Sequence, residues 1–280
     1  MMLTGLKQRY KTLRTRLSLK ARLRKNYGHF QHGLKAFQVF DNWPAYLRTF
    51  GRKDNSETVL RTRSGLQIAV RHNLYDALIV REQFIEQFYL QHFKPSSEQV
   101  PTIVDVGGYI GDFVLYCAHM LGARVITYEP TAENFEMLRR NLELNPAIAN
   151  QVTTVNKGIA STSQVVSNVQ VLGREIHASS YYYADDPNAE KRTVPCDTLA
   201  DVLTLNQLER IDLLKIDCEG GEYDIFSDLT RSVYDRIGSL VFEWHQVPDW
   251  QIKLNQAIQS LETAGFTLEH RGQLIYGFRA

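Results

Sequence analysis

The sequence predicts an α/β domain built on a mostly parallel sheet, and three observations carry that expectation. From Ile103 onward, short β-type runs alternate with helical stretches. The stretch IVDVGGYIGDF, Ile103 to Phe113, passes from an apolar run through a glycine loop into a second apolar run. The two closing runs, Thr267 to His270 and Gln273 to Phe278, have only a glycine-containing turn between them. Strand–helix–strand repetition requires parallel pairing with right-handed crossovers, while a short final turn adds an antiparallel strand.

In chain order, TVLRTRSGLQIAVRH (Thr58 to His72) alternates apolar and polar residues around Ser64-Gly65 and reads as a hairpin. Tyr75 to Phe93 has apolar residues at helical spacing and stops before Pro95. Ile103 to Val106 is a strand, Asp112 to Leu121 a helix and Arg124 to Tyr128 the next strand. A helix from Thr131 to Leu144 follows, with Pro146 beyond its end. Val152 to Val155, Ile211 to Ile216 and Ser239 to Phe242 supply the third, fourth and fifth strands. Trp250 to Ala264 is a helix ended by Gly265.

The 280 residues, 44% apolar and 22% charged, suit one globular domain with an added N-terminal piece. No apolar run approaches the roughly 20 residues that span a bilayer, and no secretory core follows the first Met. Cys117, Cys196 and Cys218 are odd in number, far apart and without a CxxC pair, as expected of reduced thiols in a cytoplasmic chain. The net charge of +1 hides an asymmetry: Met1 to Lys53 carries +12 and the remainder −11. Leu3, Leu6, Tyr10, Leu13 and Leu17, with basic residues between them, form an amphipathic basic helix pattern. Docking on the body or a second subunit, contact with the inner face of an anionic membrane, a nucleic-acid arm and a transit peptide all stay open for it. The division expected is a basic helical extension over 1–57 and a domain over 58–280. Within that domain, 58–95 leads in and 96–280 forms the core.

Ligands of such sheets sit beyond the carboxyl ends of the strands. A pyrophosphate wants glycines and an uncluttered helix N-terminus, but Tyr109 stands where a dinucleotide loop has its middle glycine, and Asp105 opposes an anion. A cationic nucleoside without phosphate suits this loop better. S-adenosylmethionine is such a ligand: Asp105 would support its ammonium, while Gly107, Gly108, Tyr109 and Gly111 pass close to its methionine part. Glu129, ending the next strand, would accept both ribose hydroxyls. Asn156 and Asp217 follow later strands and complete the expected cofactor set.

DVGGYIGDF, YEP, IDLLKIDCEGGE and FEWH, in that order, together with VPCDTLADVL, resemble the FkbM family of S-adenosylmethionine-dependent methyltransferases. The resemblance covers roughly Thr58 to Ala280, and Lys215 to Glu222 is its most specific part. It implies a class I, Rossmann-like fold, with a seven-stranded mostly parallel sheet and helices on both faces. It further implies O-methylation of hydroxyls on sugars, glycoconjugates or natural products. The family usually has Asn at the position of Tyr109. That departure gives the alternative: a methyltransferase fold with impaired catalysis, kept for cofactor binding or interaction.

Methyl transfer to an alcohol needs the acceptor positioned and its proton removed. Asp217 and Glu219, and Glu243 and His245, are pairs two residues apart at two strand ends, so each pair can share a direction. In one mechanism His245 is the general base, oriented by Asp217 or Glu243. In a second, Asp217, Glu219 and Glu243 hold Mg²⁺, which acidifies the hydroxyl, and in a third, positioning of the acceptor alone suffices. The expected acceptor, a small molecule or glycan, would meet Glu222 and the aromatic run Tyr181, Tyr182 and Tyr183 in the long excursion from Ser161 to Arg192. No nucleic-acid partner is expected, because the acidic body would repel phosphate; a homo-oligomer stays open.

Overall fold

The computed structural model describes residues 32–50, 54, 56–72, 74–95, 99–172, 175–179 and 190–279. The basic arm before residue 32 and Tyr181, Tyr182 and Tyr183 lie outside the described residues.

A seven-stranded sheet organises the chain in the order β12-β13-β11-β10-β3-β4-β5. These strands are β3 (Thr102–Val106), β4 (Arg124–Tyr128), β5 (Val152–Val155), β10 (Ile211–Ile216), β11 (Ile237–Glu243), β12 (Thr267–Arg271) and β13 (Leu274–Phe278). Strands β11, β10, β3, β4 and β5 pair in parallel, and β13 pairs antiparallel with both β11 and β12. This is the class I arrangement that the resemblance implies. Its switch point lies between β4 and β10 on either side of β3, so the cleft opens above the ends of those three strands.

Both faces of the sheet are covered, and successive residues of one strand serve opposite cores. Ile103, Val125, Leu213 and Val241 face one cluster; Val104, Ile126, Leu214 and Phe242 face the other. Helices α4 (Asp112–Leu121) and α5 (Ala132–Glu143) contribute to the first cluster, and α6 (Leu199–Leu205), α7 (Glu222–Asp228) and α9 (Trp250–Thr263) to the second. Each buried aliphatic side chain of this kind contributes about 1.5–3 kcal/mol. The four-residue α8 (Arg231–Tyr234) sits between α7 and β11. Among the described residues no helix is long and apolar enough to cross a membrane.

The lead-in packs as part of the body. Helix α1 runs through residues 32–39 and α2 spans Trp43–Thr49. Ala36, Phe40 and Tyr46 from this segment are fully buried in the first core, so from residue 32 onward the N-terminal extension is no free arm. Strands β1 (Glu57–Arg61) and β2 (Gln67–Arg71) form the expected hairpin as a separate antiparallel sheet. The β2 edge left unpaired by β1 is capped by side chains of the α5 region: Asn141 Oδ1 accepts from Ala69 N–H at 2.7 Å, and Asn145 Oδ1 from Gln67 N–H at 2.9 Å. Asn141 Nδ2 also donates to the Ile110 carbonyl at 2.8 Å, tying the hairpin to the glycine loop.

The helix expected over Tyr75 to Phe93 is broken. Helix α3 (Leu74–Arg81) passes into a π-helical turn (Glu82–Glu86), Gln87 takes a left-handed φ of 54°, and a 3-10 turn (Phe88–Leu90) follows. The excursion after β5 folds into a second sheet, β6-β9-β7-β8, from β6 (Gly158–Ile159), β7 (Gln164–Leu172), β8 (Glu175–Ser179) and β9 (Glu190–Asp197). A capping box between Thr198 and Asp201 then starts α6 and returns the chain to the main sheet.

Candidate active site

A cavity of about 490 Å³ lies above the ends of β3, β4 and β10. Its floor is the loop Gly107–Tyr109 with Glu129 and Asp217. One wall is α3 with the π-helical turn, through Tyr75, Ile79 and Glu82; the opposite wall is the second sheet, through Ile159, Val165, Val194 and Cys196.

The glycine loop is shaped mainly by its neighbours in the protein. Gly107 has φ 88°, and a Cβ there would lie 1.8 Å from the Asp217 carbonyl oxygen, so only glycine lets β3 and β10 end side by side. Gly111 was expected to pass close to the cofactor; instead it packs on Leu138 and does not line the cavity. Tyr109 has a left-handed φ of 45°, a conformation that suits Asn far better than a ring. The strain is offset elsewhere: its hydroxyl donates to Asp76 Oδ1 at 2.7 Å, and Arg71 lies 5.3 Å from its ring centroid. Arg71 in turn forks onto both Asp76 oxygens and reaches Asn134 Oδ1 at 3.0 Å. The Tyr109 ring is thus drawn toward the lead-in and does not seal the loop.

Two further corrections concern the acids. Asp105 is fully buried, with Lys215 Nζ 3.0 Å from Oδ1 and Thr127 donating to Oδ2 at 2.9 Å. It supports the loop from below and reaches no ligand. Lys215 also donates to the Gly107 carbonyl at 2.7 Å; burial pulls its pKa down, but Asp105 and Asp217 outweigh that and hold it above its usual value. Glu222 was expected to bind acceptor, yet it is fully buried and accepts from the amides of Gly220 and His245, each at 2.9 Å.

Glu129 does line the cavity. Its two oxygens accept from the amides of Thr131 and Tyr109, each at 2.8 Å, and burial pushes its carboxyl up to about 7. Asn156 stands behind it, donating to the Glu129 carbonyl at 2.8 Å, outside the cavity lining.

Past β10 the chain brings together the expected catalytic cluster. Asp217 and Glu219 line the cavity; Glu243 and His245 stand one layer behind, from β11. The Tyr89 hydroxyl donates to Asp217 at 2.8 Å and to Glu243 at 3.2 Å. His245 Nε2 is 3.8 Å from both Asp217 and Glu219, and Nδ1 is 3.2 Å from Glu222. Burial pulls the imidazole pKa down, but Glu222, Asp217 and Glu219 together push it up to about 9. His245 is therefore an imidazolium at neutral pH, which corrects its assignment as the general base: the site it would use for a proton is filled. Glu219 holds a left-handed φ of 54°, a cost borne at the cavity's edge where its side chain is half exposed, and partial desolvation together with the neighbouring acids raises its carboxyl to about 7. Burial and Asp217 likewise raise Glu243 to about 7.

This donor set does not fit Mg²⁺. Asp217 and Glu243 share a phenol, and Asp217 and Glu219 already face an imidazolium. Among the described residues no three His, Cys, Asp or Glu side chains are placed to hold a metal.

A family model described as the methyltransferase FkbM domain matches residues 105–268. Methyltransferase 1 of Beauveria bassiana (strain ARSEF 2860) is 28% identical over 186 residues, covering 59% of this chain and 72% of that protein. Methyltransferase sdnD of Sordaria araneosa is 28% identical over 193 residues, covering 59% and 73%. A solved structure of methyltransferase FkbM from Methylobacillus flagellatus KT is 15% identical with a TM-score of 0.42, covering 85% of this chain and 59% of that one. The glycine loop, the cavity and the carboxylates around His245 all lie within or against the matched segment, and the chain belongs to the FkbM family of methyltransferases.

Proposed function

We propose that this methyltransferase transfers a methyl group from S-adenosylmethionine to a hydroxyl of a sugar, glycoconjugate or natural product. The observation that carries the cofactor is Glu129: a carboxylate at the end of β4, oriented by two backbone amides, with further lone pairs on the cavity side. A ribose diol would meet both oxygens. The cavity's acids outnumber its cations, which favours a sulfonium and an ammonium and disfavours a pyrophosphate.

The cofactor supplies a methyl group already activated by the sulfonium. The chain must orient an acceptor and take its proton. Glu219 suits the second task, because its carboxyl titrates near neutral pH and it faces the cavity. The imidazolium of His245 holds Asp217 and Glu219 in place and favours the charged form of Glu219. Tyr89 fixes Asp217 from the other side.

Calorimetric titration with S-adenosylhomocysteine, with NAD⁺ as a control, tests the cofactor. The former binds alone, and Glu129→Ala weakens it at least about tenfold. Tight binding of NAD⁺, or indifference to Glu129→Ala, removes the reading. Turnover over a panel of hydroxyl and amine acceptors then tests the reaction class; methylation confined to amines would overturn the hydroxyl assignment.

A further inference from the structure

Four of the carboxylates lining the cavity have partners. Glu129 is held by two amides, Asp217 by Tyr89, Glu219 faces His245, and Asp224 accepts from Ser161 Oγ at 2.9 Å. Asp112 and Glu82 are different. Both line the cavity, and neither forms an ion pair or a side-chain hydrogen bond among the described residues.

Asp112 is the first residue of α4 and only 4% exposed, and the exposed part faces the cavity. Its carboxyl is held by its own backbone amide alone. The nearest cation, Lys215, is committed to Asp105 and the Gly107 carbonyl. Glu82 comes from the facing wall: Tyr75, Ile79 and Glu82 are spaced four and three apart, so one face of α3 and its π-helical continuation looks into the cavity. The charge of Glu82 is felt at Asp112 and that of Asp217 at Glu82, so the three acids surround one volume. Two half-buried or buried carboxyls that form no ion pair among the described residues, one on α4 and one on the α3 side of the same cavity, form a receptor for a positively charged group.

We infer that Asp112 and Glu82 receive the amino group of the cofactor's methionine end, the task that Asp105 cannot perform. The assignment rests on the cofactor reading above. With the ribose on Glu129 and the base toward Ile159 and Val194, the amino-acid end extends past Gly107 toward α4. The ammonium then meets Asp112 from the helix side and Glu82 from the lead-in side. Both contacts are charge-assisted hydrogen bonds in a site screened from water, where they count most.

The test compares two ligands on the full chain by calorimetry. S-adenosylhomocysteine carries the amino-acid end; 5′-methylthioadenosine keeps the nucleoside and lacks it. Asp112→Asn and Glu82→Gln each lower affinity for S-adenosylhomocysteine by about 10- to 100-fold, with 5′-methylthioadenosine bound as by wild type. Unchanged S-adenosylhomocysteine affinity in both variants overturns the assignment. So does a parallel fall for both ligands, which would make Asp112 a support of the fold. Wild-type protein that binds neither ligand defeats the cofactor reading itself, an outcome distinct from the other two.

Discussion

Glu222 and His245 are joined twice through one oxygen: Oε1 accepts from the His245 backbone amide at 2.9 Å and lies 3.2 Å from its Nδ1. An unfolded histidine titrates near ~6.5, whereas the folded ring holds its proton up to about 9. Stability from this contact is fully present below the unfolded value and is lost as pH rises through the folded one. The advantage of wild type over His245→Gln in urea unfolding should shrink by on the order of 3 kcal/mol between about pH 6 and pH 10. A constant difference across that range would show that the ring is neutral throughout.

Glu219 as proton acceptor predicts a rate that rises with pH through about 7, where its carboxyl ionises. Glu219→Gln should lower kcat by about 10²–10⁴-fold and abolish that limb, with S-adenosylhomocysteine bound normally. If the limb survives in Glu219→Gln and vanishes in Glu243→Gln, the base is the acid one layer behind.

Tyr109→Phe removes the hydroxyl that donates to Asp76 and should cost about 1–3 kcal/mol in stability, because the Asp76 acceptor is fully buried. Equal denaturant midpoints for the two proteins would mean that Arg71 alone is enough for Asp76.

Lys215→Met would leave Asp105 buried without its cation, at about 3–5 kcal/mol. Adding Asp105→Asn should recover most of that loss, and a double variant no more stable than the single one would refute the pairing.

The sequence makes the central architecture readable because its strands are buried on both faces. β3, β4 and β10 are short apolar runs with glycine, proline or polar residues at their limits, and α4 starts and stops where the periodicity says. The second sheet is obscure because its strands are polar and alternate weakly, as in Glu190–Asp197. The π-helical turn leaves no mark either: its apolar residues keep helical spacing while the backbone gains a residue. Motifs pointed to Glu129, Asp217 and Glu219, and all three line the cavity, since each follows a strand at the switch point. They misplaced Asp105 because a strand-end acid looks the same whether it faces a ligand or a lysine from the neighbouring strand. The charge on His245 depends on Glu222, twenty-three positions away, and no local pattern reports it.

The Arg71–Asp76–Tyr109 chain of contacts has a practical corollary. A protein cut before residue 100 would keep the whole family-matched segment, 105–268, and still lack Tyr75, Glu82 and Tyr89 together with the anchor of its glycine loop. The part that relatives share and the part that can work alone are different lengths of chain, and the difference is one wall of the reaction chamber.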